Sequence, residues 1–223
     1  MPRRLNPLVT NNFYHIYNKG INGTETFLNS ENYNRFIDLV NYYRFDKHEI
    51  RYSRYNNLTT ENKQSYLNSI QKDNNLLVNI HSFSLMPNHY HFLLEQLQDK
   101  GIQKFISNLI NGYTKYFNAK EDHYGQLFLT QFKAKLVLEN EVFLHVCRYI
   151  ILNPLTAYML KSFKELKIYP FSCLLDFIGT PRDFITTTKI LGNFKTIKSF
   201  EDFIADQENY QKELKILENL LNL

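Results

Sequence analysis

The stretch LLVNIHSFSLMPNHYHFLLEQ, residues 76–96, contains two apolar runs separated by Pro87-Asn88. Proline and asparagine are preferred in turns, because proline fixes φ and asparagine tolerates tight backbone geometry. The stretch therefore predicts two β-strands, over 76–87 and 89–96, joined by a tight turn. Such a hairpin indicates an antiparallel sheet, whose remaining strands have to come from the flanking sequence.

The second predicted strand carries the triplet His-Tyr-His. Side chains two positions apart on a strand point to the same face, so His89 and His91 lie side by side, with Glu95 farther along. The alternate apolar residues point the other way and predict packing against helices. Two neutral imidazoles can bind one divalent ion. From the triplet alone, a pair of surface or hydrogen-bonded histidines is the commoner outcome, and both interpretations stay open.

The flanking sequence supplies further elements through its hydrophobic periodicity. In chain order the sequence predicts a strand at 13–20, a helix capped at Ser30, the hairpin, a helix at 101–119, a strand at 132–138 and a helix at 139–152. The first six elements follow the order of the ferredoxin-like arrangement. We therefore expect an α+β fold, in which an antiparallel sheet has helices on one face and leaves the other face open for a site.

Two regions lie outside this pattern. Residues 46–75 are polar and predict a mobile excursion, with a short helix near 60–71. Residues 179–223 end in a helical pattern over 203–221 and predict a helical appendage. The expected organisation is one main domain, 1–178, that carries the polar insertion and is followed by a C-terminal helical tail.

The composition narrows the class of protein. Of the 223 residues 43% are hydrophobic, which is ordinary for a globular chain, and the net charge of +4 is only mildly basic. The 18 Phe and 16 Tyr residues provide rings that can stack on unpaired bases. The two cysteines do not form a C-x-x-C pair. An N-terminus without an apolar leader, and the lack of any long apolar run, predict a cytoplasmic protein without membrane contact.

Several segments occur in an order typical of one family. LMPNHYHFLLE resembles the MPNHxHxLL segment of the REP-associated tyrosine transposases, relatives of the small insertion-sequence transposases in the HUH endonuclease superfamily. Four further segments resemble that family: YHIYNKGINGTETF (14–27), YFNAKEDHYGQLFLTQFKAKLV (116–137), RYIILNPLTAYML (148–160) and YPFS (169–172). The resemblance spans residues 10–175. This sequence departs from the family pattern at Leu129, Gln131 and Tyr169, where the family typically has Gln, Arg and Trp.

The resemblance implies an enzyme that cuts and rejoins single-stranded DNA near hairpin or repeat sequences. By motif, the nucleophile is Tyr149, on a helix near the open face of the sheet. A divalent ion, Mg²⁺ or Mn²⁺, would be held by His89, His91 and Asn153. Attack on a phosphate gives a 5′-phosphotyrosine and a free 3′-OH, and the conserved bond energy lets DNA be rejoined without ATP.

The spacing in the motif-bearing helix agrees with these roles but does not require them. Tyr149 and Asn153 are four residues apart and so share one face of a helix. Asn153 and the proline after it also fit the start of a new helix, with Asn153 as its N-cap. His145, one turn earlier, either assists proton removal or packs between helices. Tyr113 and Tyr116 are the alternative nucleophiles.

Basic residues are the candidates for contacts with DNA phosphates. They are Arg3, Arg4, Lys19, Lys133 and Lys135. Each of them also fits a solvated surface charge. We expect a monomer or a homodimer.

Two other functions remain as alternatives. A replication-initiator or relaxase-like nickase would share the histidine pair but not the full succession of motifs. A non-enzymatic nucleic-acid-binding protein would share a ferredoxin-like sheet with aromatic residues. Such a protein has no need for His89, His91, Tyr149 and Asn153 together.

Overall fold

The computed structural model describes residues 7–71 and 75–206. Its strands are β1 (Phe13–Lys19), β2 (Val78–Met86), β3 (His89–Gln96) and β4 (Lys133–Val137). They form one antiparallel sheet in the order β2-β3-β1-β4. This order is the ferredoxin-like one, and it confirms the predicted α+β fold class.

Helices connect and cover the strands. They are α1 (Ser30–Tyr43), α2 (Tyr52–Asn56), α3 (Thr60–Gln71), α4 (Gly101–Lys120), α5 (Asn140–Thr156), α6 (Phe163–Leu166), α7 (Leu174–Ile178), α8 (Thr188–Leu191) and α9 (Ile197–Ala205). A short 3-10 turn, Ile21–Gly23, follows β1. The cap of α1 is Asn29 rather than the predicted Ser30, because the Asn29 side chain accepts a hydrogen bond from the Asn32 N–H at 3.1 Å.

The first two long helices cover one face of the sheet. Phe36 of α1 contacts Tyr90, with ring centroids 5.5 Å apart, and Phe105 of α4 contacts Phe92 at 6.0 Å. All four rings are buried. The alternate apolar side chains of β3 therefore form the core beneath α1 and α4, as the sequence predicts.

The opposite face is covered more than the sequence analysis expected. Helix α5 packs across β2 and β3 on the side that carries the two histidines. Only 6% of the surface of His91 is accessible, whereas His89 is half-buried. The apolar residues Val146, Ile150 and Leu152 of α5 are buried as well. Helix α5 thus partly encloses this face of the open sheet.

The polar region 46–75 is more ordered than a mobile excursion. Its described part contains α2 and α3, and α3 coincides with the predicted short helix. A small second hydrophobic cluster holds these helices against the end of α1. The buried members of that cluster are Tyr42, Phe45, Tyr55, Leu67 and Ile70. The sequence prediction missed it because its apolar residues are widely spaced among polar ones.

The described part of the region after residue 178, residues 179–206, packs on the main domain. Phe200 and Ile204 of α9 are fully buried, and Phe200 contacts Phe177 of α7 with ring centroids 4.8 Å apart. The predicted helical pattern over 203–221 lies mostly outside the described residues. Among the helices that the structure describes, none is long and apolar enough to cross a membrane.

Gly20 sets the chain path at the end of β1, next to the histidine strand. Its N–H donates to the Asn88 carbonyl at 2.7 Å, and a Cβ at this position would lie 2.1 Å from the Thr24 carbonyl oxygen. At Gly23 (φ +73°) a Cβ would meet nothing within 4 Å, so only the backbone conformation resists substitution.

We expect Gly20→Ala to lower the free energy of unfolding by about 3 kcal/mol, because backbone has to move. Gly23→Ala, the control, should cost about 1 kcal/mol for its left-handed conformation. Urea unfolding measures both. If both variants lose the same free energy of unfolding, the close approach of the backbone at Gly20 would be contradicted.

Candidate metal and nucleophile site

The register of the central strands determines which side chains surround the two histidines. Tyr17 of β1 lies opposite His91, and Lys19 lies opposite His89. Directly opposed residues in an antiparallel pair project to the same face. β1 therefore lines the site with its own alternate residues, which the histidine strand alone does not reveal.

His89 and His91 meet edge to face, with ring centroids 5.1 Å apart. The His89 Nε2 atom lies 3.4 Å from Asn153 Oδ1, and the His89 Nδ1 atom lies 2.6 Å from Asn88 Oδ1. The predicted metal ligands His89, His91 and Asn153 are thus brought together in the structure, although they come from a strand and a helix more than 60 residues apart in sequence.

A third histidine joins this pair. His15 of β1 is fully buried, and its Nε2 atom lies 2.9 Å from His91 Nδ1. The two rings stack with centroids 5.1 Å apart. His15 belongs to a motif-bearing segment, but the sequence analysis assigned it no role, because the pairing of β1 with β3 is a tertiary property.

The three imidazoles are held in their neutral form. Burial lowers the pKa of His15 to about 3, and the charge of Lys135 contributes in the same direction. Burial lowers the pKa of His91 well below its ordinary value, helped by His15 and His89. The pKa of His89 is also lowered, mainly by burial. Neutral imidazole is the form that donates a lone pair to a metal, so His89 and His91 are in the form that a ligand requires near pH 7.

Helix α5 brings Asn153 to this position by continuing where the sequence predicted a break. It runs through Pro154 to Thr156, so Asn153 is a buried residue inside a helix and not an N-cap. Proline has no N–H, and the Ile150 carbonyl therefore lacks its usual helical donor. The continuous helix keeps Tyr149 and Asn153 one turn apart on the side that faces β3.

Tyr149 lies against the histidines. Its ring centroid is 5.6 Å from that of His91 and 5.7 Å from that of His15, edge to face in both cases. The alternatives Tyr113 and Tyr116 belong to α4, on the opposite face of the sheet. Tyr113 is fully buried and donates to the Thr26 carbonyl.

Tyr17 is a second tyrosine in the site, which the sequence analysis did not single out. Its ring stacks on His91 with centroids 5.5 Å apart and an interplanar angle of 23°. The side chain is half-buried, and burial raises the pKa of its phenol. The signal that could have found it is its position two residues after His15 on a predicted strand.

The other residues singled out on this face have neighbours of their own. Glu95 lies on the histidine face, but its Oε2 atom is 3.3 Å from His81 Nε2 and 2.9 Å from Asn79 Nδ2. The Nε2 atom of His145 lies 3.8 Å from a Glu141 carboxylate oxygen. The contacts of Glu95 with His81 and Asn79 indicate a structural role for Glu95.

Basic side chains border the site on the β1 and β4 side. Lys133 and Lys135 of β4 lie opposite Tyr17 and His15, and Lys19 lies opposite His89. Lys19 and Lys133 are exposed, and Lys135 is half-buried. Arg3 and Arg4 lie outside the described residues.

The donor set fits one divalent ion. The His89 Nδ1 atom lies 2.6 Å from Asn88 Oδ1, and a neutral His89 protonated there would turn its Nε2 lone pair toward Asn153 Oδ1, 3.4 Å away. Two acceptors that face one another are suited to a cation between them. Within 7–71 and 75–206, no group of three or more His, Cys, Asp and Glu side chains forms a metal cluster. Two imidazoles and an amide leave positions for water and phosphate oxygens, as Mg²⁺ and Mn²⁺ prefer.

Comparisons with known proteins agree with this fold and with the motifs. The family model described as "Transposase IS200 like" matches residues 47–151. Among solved structures, the chain resembles one titled "Structure of the REP associates tyrosine transposase bound to a REP hairpin", with a TM-score of 0.51 and 11% identity over 80% of this chain and 86% of that one. No curated protein matches the sequence significantly. The chain is thus similar to the IS200-like transposases over residues 47–151, and it shares its fold with a REP-associated tyrosine transposase.

Proposed function

We propose that the chain is a metal-dependent single-stranded DNA endonuclease and strand transferase, which acts in DNA transposition. The observation that carries the proposal is the convergence of His89, His91, Asn153 and Tyr149 at one point of the sheet face. A binding protein without catalysis has no use for a phenol placed beside two neutral imidazoles and a buried amide. We assign this chemistry to the domain 1–178, with 179–223 as a supporting tail.

Tyr149 is the proposed nucleophile. Its phenol oxygen forms a bond to the scissile phosphorus while the bond from phosphorus to the 3′ oxygen breaks. The phenol loses its proton in this step, and the departing 3′ oxygen gains one, which leaves a 5′-phosphotyrosine and a free 3′-OH. A phenol with a pKa of about 10 is a weak nucleophile at neutral pH, so attack depends on its proton being removed. The phosphodiester energy is retained in the tyrosine ester, which allows a 3′-OH to reverse the step.

His89, His91 and Asn153 would hold the divalent ion, Mg²⁺ or Mn²⁺. When bound, such an ion supplies positive charge next to the scissile phosphate and its leaving oxygen. The protein's own contribution is to keep both imidazoles neutral through burial and to fix the amide on a helix. The ring of Tyr149 is held at 5.6 Å from that of His91, so the nucleophile stays beside the ligands.

Lys19, Lys133 and Lys135 are proposed to contact DNA phosphates, and Tyr17 provides an aromatic surface in the site for an unpaired base. The similar solved structure is bound to a REP hairpin. By analogy, we propose that this chain also acts on single-stranded DNA next to a hairpin, in the cytoplasm, as a monomer or a homodimer.

Removal of either histidine should abolish both Mn²⁺ binding and cleavage. We expect His89→Ala and His91→Ala to retain the fold, because α1 and α4 pack on the other face. The measurements are calorimetric titration with Mn²⁺ and cleavage of a hairpin with a single-stranded flank. His123→Ala is the control, because His123 contacts Phe117 and Asn118 of α4 on the other side of the sheet. Normal cleavage by His91→Ala would rule out the metal site.

Tyr149→Phe should lose the covalent protein–DNA adduct and keep most of the affinity for DNA. The ring is retained, so the free energy of unfolding should change by less than about 1 kcal/mol. The adduct is detected as a species that survives denaturant, and peptide mapping by mass spectrometry locates the nucleotide.

Tyr17→Phe and Tyr116→Phe are the matched variants for this test. Tyr17→Phe should still form the adduct, because burial favours the protonated phenol there. A nucleotide found on Tyr17 would reassign the nucleophile within the same mechanism. A wild-type protein that forms no adduct on any tyrosine, with metal and hairpin DNA present, would refute the mechanism.

The basic border should determine the salt dependence of DNA binding. Each phosphate contact with single-stranded DNA contributes a slope of about 0.7 to the dependence of log K on log salt concentration. The double variant Lys133→Gln, Lys135→Gln should therefore reduce the slope by roughly 1.4. Lys47→Gln, exposed at the other end of the sheet, should leave it unchanged. An unaltered slope in the double variant, or equal cleavage of fully duplex DNA, would contradict the proposed DNA path.

A further inference from the structure

We propose that Asn88 and His15 are positioning residues, which fix the ring tautomers of His89 and His91. Each accepts the Nδ1 proton of one histidine, so that both histidines keep an Nε2 lone pair for the proposed metal. The inference rests on the proposed function in one respect, namely that His89 and His91 are metal ligands. The hydrogen bonds themselves belong to the protein without metal and are tested there.

The first half of the arrangement is set by Asn88. Its Nδ2 group donates to the Gly23 carbonyl at 3.2 Å, which determines how the amide is oriented. The Asn88 Oδ1 atom consequently faces His89 Nδ1 at 2.6 Å. An amide oxygen only accepts, so the proton of neutral His89 is on Nδ1 and its Nε2 atom carries the lone pair.

The second half is the contact between His15 and His91. Their nitrogens, His15 Nε2 and His91 Nδ1, are 2.9 Å apart in the buried interior, and one proton lies between them. If His15 donated this proton, His91 would carry its own on Nε2, and no lone pair would point into the site. If His91 donates, its Nε2 atom matches that of His89. We assign the second arrangement, because it alone leaves His91 an Nε2 lone pair for the proposed metal.

His15 has the features of a residue that acts through its neighbour. Its Nδ1 atom is buried and has no hydrogen-bond partner among the described residues. Within that part of the chain, the contact with His91 is therefore its one hydrogen bond. His15 is not itself a third ligand, since its Nε2 atom is engaged with His91 and its Nδ1 atom is enclosed. Residues behind metal ligands set the orientation and tautomer of those ligands in this way.

The direct test is the position of the ring protons in the metal-free full chain. Protein labelled with ¹⁵N-histidine is measured by long-range ¹H–¹⁵N correlation NMR, and the signals are assigned from His89→Gln and His91→Gln. We expect both histidines to be protonated on Nδ1. His91 protonated on Nε2 would overturn the assignment of His15 as acceptor, and His89 protonated on Nε2 would overturn that of Asn88.

The second test is the affinity for Mn²⁺ alone, measured by calorimetry on folded variants. His15→Phe keeps a ring but removes the acceptor, and Asn88→Ala removes the amide, so each should weaken binding about tenfold or more. His15→Gln carries an amide oxygen near the position of Nε2 and should recover most of the loss. His48→Phe, a half-buried histidine far from the site, controls for the substitution itself.

The outcomes separate this inference from the proposed function. Wild-type affinity in His15→Phe, or no recovery in His15→Gln, would refute the role of His15. If His15→Phe does not fold, the NMR measurement on the wild type and the Asn88→Ala affinity still decide. A wild-type chain that binds no Mn²⁺ would refute the metal site of the proposed function, while the tautomers would still be read from the metal-free protein. Mn²⁺ binding with His91 protonated on Nε2 would refute only the present inference.

Discussion

At the centre of the sheet, β1 pairs with β3 so that Tyr17 lies opposite His91 and Lys19 opposite His89. The site depends on this register, because a shift by one residue would turn every side chain of β1 to the other face. His15, Tyr17 and Lys19 would then point into the apolar core beneath α1. The hydrophobic residues Tyr14 and Ile16, which alternate with them and are buried in that core, hold the register in place. Formation of the core and assembly of the site are therefore the same event.

The histidine face of the sheet buries polar rings, which costs free energy that the apolar packing on the opposite face does not cost. Burial of polar rings is unfavourable unless each nitrogen that can donate or accept finds a partner. Here His15 and His91 contact one another and His89 contacts Asn88, whereas His15 Nδ1 has no partner among the described residues. The large core on the other side of the sheet offsets this cost. The structure can thus keep a cluster of neutral imidazoles away from bulk water.

The order of the main elements, the apolar face of β3 and the pairing of His89 with His91 could be predicted from the sequence. They follow from local periodicity, which needs no knowledge of the remaining chain. The continuation of α5 through Pro154 could not, since the local rule favours a new helix at Asn153 and only packing against the sheet overrides it.

His15 and Tyr17 were missed for a related reason. Their role depends on which strands become neighbours, and a single strand does not contain that information. The motif resemblance grouped Tyr149 with the histidines, but it did not reveal the residues that contact the proposed metal ligands. The ordering of 46–75 likewise depends on contacts with the end of α1, formed by Tyr42 and Phe45.

The combination of neutral ligands with a basic border has an electrostatic consequence for the proposed reaction. Histidine and asparagine side chains add no negative charge to a bound cation, so its full charge would remain available to a phosphate. Carboxylates at the same positions would neutralise part of that charge and would also repel the DNA backbone. Glu95, which lies on this face, is engaged with His81 and Asn79. Lys19, Lys133 and Lys135 add positive charge at the border of the site but are not among the proposed metal ligands. The lysines would therefore attract DNA, while the ion held by the proposed ligands would polarise one phosphate.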